Sequence, residues 1–412
     1  MGGKAQRVIV KRLDEDAYVL TDATHGIEFH VDHLRRERHE LVGELRVACG
    51  MLGTRAIDGV LSHAAFNFSS AQTRSQRARL LGERARTNGK VDWLGLLEEA
   101  CQHVLQAERT GQPAVLLRTV PRPAPDDEYD VEGLRVPKHH PTIWFGDGST
   151  FKSYLALHVA SEITRRYHVN VGYFDWELDG GQHRDRLERL TGPMMPAIHY
   201  VRCERPLVCE VDRLKRIKRE HDLGFAIYDS IAPASDGPPE AAEVAAEYNR
   251  AQRQIGIGGI HVAHINKGPA ETSEQKPFGS AFWFNLARSV WNVKAVTGAA
   301  GDTMSIAFYH RKANLGPLRP AVGFAITFDK NRTHVRRANV GDVAELAASL
   351  PLWDRIRRAV QHNPQTLAAL AEELDAKVDS VDRIVRRHKS LFTKITGRDG
   401  IHLVALVERQ AS

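Results

Sequence analysis

The sequence predicts an α/β protein with a mainly parallel central sheet, and two observations lead to this fold class. From Thr142 to about Phe328, short apolar segments of strand character alternate with amphipathic segments of helical periodicity. That alternation is the pattern of a parallel sheet covered by helices. The first of these strands runs into a glycine-bearing loop and then into a helix, an order that parallel α/β proteins use to bind phosphate. We therefore expect the α/β domain to span residues 142–338.

Length and composition allow two or three folded domains. The chain has 412 residues, of which 42% are apolar, and about 150 residues is an ordinary domain size. The formal net charge is +6 and the pI is about 9.1. This mild excess of basic residues permits binding to nucleic acid without requiring it.

The cysteine pattern and the apolar runs indicate which metal sites and which cellular location to expect. Cys49, Cys101, Cys203 and Cys209 form no C-x-x-C pair, so a zinc site built from them is not expected and free buried thiols are the better interpretation. The sequence has no leading segment typical of a signal peptide and no apolar run long enough to span a bilayer. We expect a cytoplasmic protein with no membrane partner.

The first 120 residues are expected to form an α+β accessory region, 1–120. Residues 7–13, 18–22 and 26–31 combine β-branched and aromatic side chains with turn signals, which favours strands. Residues 69–90 are basic, with five arginines, and we expect them to be exposed. Residues 91–108 have helical periodicity. Residues 121–141 contain five prolines and an acidic run, so we expect a linker there.

The loop after the first strand of the central domain has the composition of a phosphate-binding loop, and ATP is its expected ligand. Its residues are Gly146, Asp147, Gly148, Ser149, Thr150, Phe151, Lys152 and Ser153. Backbone N–H groups of such a loop, with the positive end of the following helix, bind phosphate oxygens. Lys152 is expected to reach the β- and γ-phosphates, and Ser153 to bind Mg²⁺. Phe151 stands where the motif normally has glycine, so its side chain is expected to point against the core, away from the phosphates.

Polar residues end three later strands of the domain. Glu177 follows the strand at residues 170–176 and is expected to orient and deprotonate the attacking water, with Asp175 as its rival for that role. Asp229 closes the strand at residues 224–229 and is expected to support Mg²⁺, directly or through water. His264 ends the strand at residues 259–264, where its imidazole could donate to the γ-phosphate.

Residues 351–410 are expected to form a winged helix that binds DNA. Two helices, a short turn, a third helix at residues 380–389 and two strands joined by residues 397–400 give the winged-helix order. Outward cations on such a third helix suit the DNA backbone and major groove. These cations are Arg383, Arg386, Arg387 and Lys389. Contacts with another protein are the alternative use of this surface.

Four segments within residues 131–328 resemble the plasmid RepA type of hexameric replicative helicase, within the RecA-like P-loop ATPases. They are residues 173–177, 226–230, 261–268, and the pair 279–288 and 311–316, which match the family's G-S-…-R and K-A-N-x-G stretches. The resemblance implies a RecA-like core that hydrolyses ATP between the subunits of a homo-oligomeric ring, with a hexamer favoured. It also implies that Arg288 is an arginine finger for the neighbour's γ-phosphate and that Lys312 is a second cation across that interface.

The resemblance further implies that the loops after Asp229 and His264 face a central pore and contact single-stranded DNA. The second loop, with Lys267 before it, offers Lys276 and Phe278 for phosphate contact and base stacking, whereas the first loop is acidic and less suited to DNA. Duplex DNA is the expected partner of the winged helix.

The expected function is therefore a DNA-dependent ATPase that uses Mg²⁺, a replicative helicase or translocase of a phage or plasmid-like element. Three alternatives stay open on the sequence. They are an ATP-switched DNA-binding regulator or loader with slow turnover, a filament-forming recombinase, and an ATPase that does not touch nucleic acid.

Overall fold

The computed structural model describes residues 8–14, 16–51, 54–86, 89–111, 114–122, 124, 127–264, 281–298, 301–396 and 401–407. The chain divides into two compact units, Met1–Arg122 and Pro123–Ser412. Among the described residues, no helix is both long enough and apolar enough to cross a membrane.

The first unit contains a five-stranded antiparallel sheet whose strands neighbour one another in sequence order. Buried and partly exposed side chains alternate along β3, where Ile27, Phe29 and Val31 are at most 2% exposed, so one face of the sheet is covered. The three strands predicted at residues 7–13, 18–22 and 26–31 correspond to β1, β2 and β3. The strands are β1 (Val8–Asp14), β2 (Ala17–Asp22), β3 (Ile27–Glu37), β4 (Glu40–Cys49) and β5 (Val60–Asn67).

Two helices, α1 (Ala71–Ala85) and α2 (Trp93–Thr110), pack against this sheet. Most side chains of residues 69–86 are exposed or half-buried, as predicted, but the segment forms α1 and buries Ala78, Leu81 and Ala85. Leu81 is fully buried in the core of the unit, and the Ser70 side chain caps the helix by accepting from the Thr73 N–H at 3.2 Å. Its arginines bind neighbouring elements, as when Arg74 donates to Glu98 at 2.7 Å.

The second unit begins with a β-hairpin where a linker was predicted. Strands β6 (Glu128–Val131) and β7 (Leu134–Pro137) pair antiparallel within residues 121–141. Four of their side chains are at most 4% exposed and belong to the main core, which no linker would supply. They are Tyr129, Val131, Leu134 and Val136. The prolines at residues 121–125 misled the prediction, since they precede the hairpin rather than interrupt it.

A nine-stranded sheet forms the centre of the second unit. Its order is β10-β9-β11-β12-β8-β13-β14-β15-β16, with parallel pairing from β10 to β13 and antiparallel pairing from β13 to β16. The strands are β8 (Pro141–Gly146), β9 (Asn170–Asp175), β10 (Ile198–Arg202), β11 (Leu223–Asp229), β12 (Gly259–His264), β13 (Ser289–Thr297), β14 (Thr303–Ala313), β15 (Val322–Phe328) and β16 (Thr333–Ala338).

Helices connect the parallel strands and cover the sheet. They are α3 (Lys152–Tyr167), α4 (Gly180–Thr191), α5 (Leu207–Glu220), α6 (Ile231–Ala234), α7 (Ala242–Ile255) and α8 (Ala281–Leu286). Strand β8 is separated from β9, the next strand in sequence, by β11 and β12. This crossover order, with the first loop on a central strand, is that of a RecA-like α/β core, and it confirms the predicted fold class.

Three helices and a two-stranded sheet follow the core. After the short helix α9 (Ala344–Ala347) come α10 (Leu352–Ala359), α11 (Leu367–Glu373), α12 (Val378–Arg387), β17 (Phe392–Thr396) and β18 (His402–Leu406). Buried apolar side chains from all three longer helices and both strands form a core of their own, with Ile356, Leu370 and Val381 fully buried. The Thr366 side chain caps α11 by accepting from the Ala369 N–H at 3.1 Å, as its residue type favours.

Candidate nucleotide-binding site

The predicted phosphate loop lies between β8 and α3, at the carboxyl edge of the parallel strands. Strand β8 ends at Gly146, where a Cβ atom would lie 2.2 Å from the Val293 carbonyl oxygen, so only glycine fits. Helix α3 starts at Lys152 and has 16 residues. The loop between them therefore faces the positive end of a long helix, which favours an anionic ligand.

Phe151 adopts a backbone conformation that glycine favours. Its φ angle is +56°, in the left-handed region, which accounts for glycine being the usual residue at this position of the motif. The ring packs against Phe328, with centroids 5.3 Å apart, and lies 6.2 Å from the Tyr154 ring. The side chain is thus held by the core, and the loop keeps its shape without the glycine.

Lys152 is buried inside the loop. Its ammonium donates to the Gly146 and Asp147 carbonyl oxygens at 3.0 and 2.6 Å and to Thr150 Oγ1 at 2.9 Å. Burial lowers the pKa of Lys152 to about 8, against the opposing attraction of Asp229 and Glu177. An ammonium under this desolvation gains from any anion that enters the loop, which is the electrostatic requirement of a phosphate site.

Asp229 has the character of a cation ligand. It is 2% exposed, and Tyr173 donates to its Oδ2 at 2.7 Å. Among the described residues, Oδ1 is buried without a hydrogen-bond partner. Burial raises the pKa of Asp229, and hydrogen bonds from Tyr173 and Ser153 oppose that rise. A buried carboxylate with one unused oxygen beside a serine hydroxyl fits Mg²⁺, which accepts few protein ligands and completes its shell with phosphate and water.

Asp175, the rival for the role of general base, is fully occupied with structural bonds. It is fully buried, and it accepts from the N–H groups of Glu177 and Leu178, both at 3.0 Å, and from the Tyr200 hydroxyl at 2.9 Å. Burial would raise the pKa of Asp175, but these bonds and a contact with His183 hold it below its ordinary value. Asp175 therefore fixes the turn that presents Glu177.

Glu177 and His264 face each other from the ends of β9 and β12. His264 Nε2 lies 3.6 Å from Glu177 Oε1, and the Ser230 hydroxyl donates to the same oxygen. The contact with His264 and the hydrogen bond from Ser230 outweigh burial and lower the pKa of Glu177. The carboxylate is thus ionised at neutral pH, and its position is fixed by two neighbouring side chains.

Lys152, Ser153, Glu177 and His264 line one cavity of about 300 Å³, which is within the size range of small-molecule sites. Its lining includes two side chains that the sequence analysis missed, Tyr154 and Arg186, with the guanidinium 5.9 Å from the centre of the Tyr154 ring. Arg186 lies on α4, and no motif marks it in the sequence. Residues lining the cavity are Ser149, Thr150, Phe151, Lys152, Ser153, Tyr154, Glu177, Arg186, Val262 and His264.

Arg288 and Lys312 lie near the amino ends of the parallel strands, whereas the cavity lies at their carboxyl ends. The Arg288 N–H donates to the Pro141 carbonyl at 3.2 Å, at the start of β8, whereas the phosphate loop follows the end of that strand about 16 Å away at the strand rise per residue. Lys312 donates to the carbonyls of Phe284 and Asn285 at 2.8 and 2.6 Å. Within one chain, neither cation reaches the cavity.

Two of the other predicted DNA-contacting residues, Lys267 and Lys276, lie outside the described residues. The acidic segment after Asp229 is ordered in part as α6. On and just after α12, the four predicted cations are exposed, and Arg386 forms an ion pair with Asp382 at 2.7 Å. These four are Arg383, Arg386, Arg387 and Lys389.

Other metal sites in proteins are built from several His, Cys, Asp or Glu side chains. Across the part of the chain that the structure describes, no group of three or more His, Cys, Asp or Glu side chains could hold a metal ion. A site of the Ser153 and Asp229 kind does not need such a group. Cys49, Cys101 and Cys203 are free and buried, as expected, but Cys209 is exposed.

Comparisons with known proteins show distant likeness only. No protein-family model and no curated protein matches the chain. One similar solved structure is a KaiC-like protein from Pyrococcus horikoshii OT3, at 14% identity and a TM-score of 0.38, covering 49% of this chain and 91% of that one. Another is the flagellar accessory protein FlaH from Methanocaldococcus jannaschii, at 15% identity and a TM-score of 0.36, covering 52% and 99%. Likenesses this distant show nothing about the function of this chain.

Proposed function

We propose that this chain is an ATPase that binds ATP and Mg²⁺ in the cavity beside residues 146–153. The observation that carries the proposal is the buried Asp229 carboxylate, which interacts with the Ser153 hydroxyl and has no hydrogen-bond partner for Oδ1 among the described residues. The buried Lys152 ammonium is attracted by the Asp229 carboxylate. Lys152 and Glu177 line the same cavity. A phosphate cradle, a cation ligand and a proton acceptor therefore meet at one place, as phosphoryl transfer to water requires.

Each side chain would have a separate part in the reaction. Lys152 would exchange the loop carbonyls for phosphate oxygens and stabilise their charge. Ser153 and Asp229 would hold Mg²⁺, which neutralises charge on the phosphates when bound. Glu177 would accept a proton from the attacking water, and His264 would contact the γ-phosphate while it still touches Glu177.

A second copy of the chain would complete the site. Because Arg288 and Lys312 lie at the sheet edge away from the cavity, a catalytic role for either needs a neighbour's cavity. An arginine supplied in trans is a known way to stabilise phosphoryl charge. We propose a homo-oligomeric ring, with a hexamer favoured, in which these cations reach across the interface.

The finer proposal is a DNA-dependent ATPase of the RepA-like helicase or translocase kind. The basic pI of about 9.1 and the exposed cations of α12 support a nucleic-acid partner. The three helices and two strands of residues 352–406 would act as a winged helix on duplex DNA. Single-stranded DNA would contact the core, where Lys267 and Lys276 are the proposed contacts.

ATP hydrolysis by the full chain, measured with and without single-stranded DNA, tests the proposal. Lys152→Ala is expected to abolish turnover, whereas Lys330→Ala, which removes an exposed lysine of the turn before β16, should leave it unchanged. Normal turnover in Lys152→Ala would reject the site. If DNA neither binds at low salt nor stimulates turnover, the ATPase acts on another partner.

A slower ATP switch, acting as a DNA-binding regulator or loader, is the second candidate. It is favoured by the Ser230 hydroxyl and His264, which both hold Glu177 Oε1 in place. In that case, nucleotide binding would change DNA affinity, while turnover would stay slow with saturating DNA. A pre-steady-state measurement that separates one bound-ATP hydrolysis event from repeated turnover distinguishes the two candidates.

A further inference from the structure

A second cavity, larger than the first, lies between the sheet edge of the core and the C-terminal helices. Its volume is about 620 Å³. Residues at the ends of β14 and β16 line one side, and residues of α10 line the other. We call it the arginine crevice, because five of its lining residues are Arg311, Arg319, Arg337, Arg357 and Arg358.

The two walls of the crevice are fixed to each other, so the cavity is already formed. Arg358 Nη2 donates to Asn339 Oδ1 at 3.1 Å. The same guanidinium lies over Gly341, where a Cβ atom would come within 1.5 Å of Nη1. Lys294 donates to Ser349 Oγ at 2.9 Å just before α10. A preformed cavity binds without a large ordering cost.

The charge of the crevice is strongly unbalanced. Its five guanidinium groups face a single lining carboxylate, Asp354, which is bound by Arg357 at 2.8 Å. A second carboxylate, Glu128, pairs with Arg319 at 2.9 Å from just outside the lining. Glu132 also acts on Arg337 from outside the lining, so with all three acids counted the cations exceed the anions by two. The guanidinium groups come from several elements of the chain, so a row of separate phosphates can meet more of them than a single phosphate can.

The crevice also offers apolar and aromatic surface beside these cations. Leu318 lines the crevice and is 59% exposed. Trp353 lines the wall and is only partly buried, with its ring 5.9 Å from His388. Arg311 lies 5.2 Å from the Tyr309 ring centre. Cations next to aromatic faces are the combination that binds single strands, since phosphates pair with the former and bases stack on the latter.

We propose that the arginine crevice binds single-stranded DNA, with a base against Trp353 and Leu318 and phosphates along the arginines. The crevice deepens the proposed function by naming a place where the strand touches core and C-terminal unit together, and it rests on that function for the choice of DNA. Single-stranded DNA bound there would contact both α10 and β14, the strand that carries Lys312.

The neighbouring residues Arg336 and Arg337 give a matched pair of variants. Both are exposed on β16 and point to opposite faces because strand side chains alternate. Only Arg337 lines the crevice, whereas Arg336 lines a separate cavity beside α3. Removing either one changes the net charge equally. Arg337 also donates to the Gly323 and Ala338 carbonyls at 2.7 and 3.1 Å, so a difference between the variants reports the site when their melting temperatures agree.

The test measures binding of a fluorescent oligo-dT to the full chain without nucleotide, over a range of salt. Arg337→Ala and Arg311→Ala should each weaken binding about fivefold at 0.1 M salt and lower the salt slope by about 0.7. Arg336→Ala should match the wild type, and Arg311→Lys should recover part of the loss. Equal losses in Arg336→Ala and Arg337→Ala would overturn the proposal. Should Arg337→Ala fail to fold, as judged by thermal melting, the Arg311 pair decides.

Tryptophan fluorescence locates the bases. Oligo-dT should quench the wild-type signal, and Trp353→Phe should remove that quenching. Quenching that persists in Trp353→Phe, or that dTMP produces equally at the same nucleotide concentration, would overturn the placement or the choice of a strand. ATP hydrolysis is not needed for either assay. If the wild-type chain binds no DNA at all, the proposed DNA-dependent function is refuted as well. If the crevice variants bind DNA as the wild type does, only the crevice proposal is refuted.

Discussion

Raising the pH from 7 to 9 should weaken ATP binding about tenfold, because Lys152 loses its proton in the free protein. Burial lowers the pKa of this ammonium to about 8. At pH 7 the free loop is charged, whereas at pH 9 only about one loop in ten is, which corresponds to about 1.4 kcal/mol of binding free energy. Bound phosphate raises the pKa of Lys152 again, so the complex takes up a proton above pH 8 and its affinity falls as the pH rises.

Calorimetry with Mg-ATP at pH 7, 8 and 9, in two buffers of different ionisation enthalpy, measures both the affinity and the proton uptake. The triphosphate has lost its last proton by about pH 7 to 8, since phosphate monoesters titrate near pH 6. Lys152→Gln is the control, because a neutral amide should bind ATP weakly and with no slope between pH 8 and 9. A flat wild-type affinity, or the same slope in Lys152→Gln, would refute the assignment of the titrating group.

Three further variants test other parts of the structure. Tyr173→Phe removes the donor that orients Asp229 and should weaken Mg²⁺ binding about 10- to 100-fold; an unchanged Mg²⁺ titration of nucleotide binding would contradict this. Arg288→Ala should spare ATP binding but lower turnover, and mixing it with Lys152→Ala subunits should restore activity, so failure of every mixture to recover turnover argues against action in trans. Leu81→Ala should destabilise the first unit by about 2–5 kcal/mol in urea unfolding; an unaltered midpoint would mean that α1 is not part of that core.

The central domain was predictable because its signals are local. Strand β8 is an apolar run that ends in a glycine loop, and Lys152 and Ser153 open the next helix. Strand β11 likewise ends at Asp229. In a parallel sheet these carboxyl ends must share one edge, so the order of residues along the chain was enough to expect their convergence.

Other features depend on contacts distant in sequence, and local patterns do not encode them. Helix α1 looked like an exposed basic segment, yet Arg77 donates to Ser62 at 2.6 Å and Arg84 to the Leu61 carbonyl at 2.6 Å. Both acceptors lie on β5, so these arginines form structural hydrogen bonds only once α1 packs against that strand. Arg186 joins the cavity from the middle of α4 for the same reason. Asp175 and Glu177 could be told apart only once the backbone donors to Asp175 were visible.

The position of Lys312 links the proposed neighbour's site to the segment after β12. Its ammonium binds the Phe284 and Asn285 carbonyls at the end of α8, and burial together with the nearby Arg288 lowers its pKa. A cation held this way can serve a phosphate in trans only by giving up those carbonyls. Helix α8 follows directly on residues 265–280, where the proposed DNA contacts Lys267 and Lys276 lie. A phosphate that recruits Lys312 would therefore release the last turn of α8, so the proposed site in trans would couple ATP occupancy to the position of α8 through a single ammonium group.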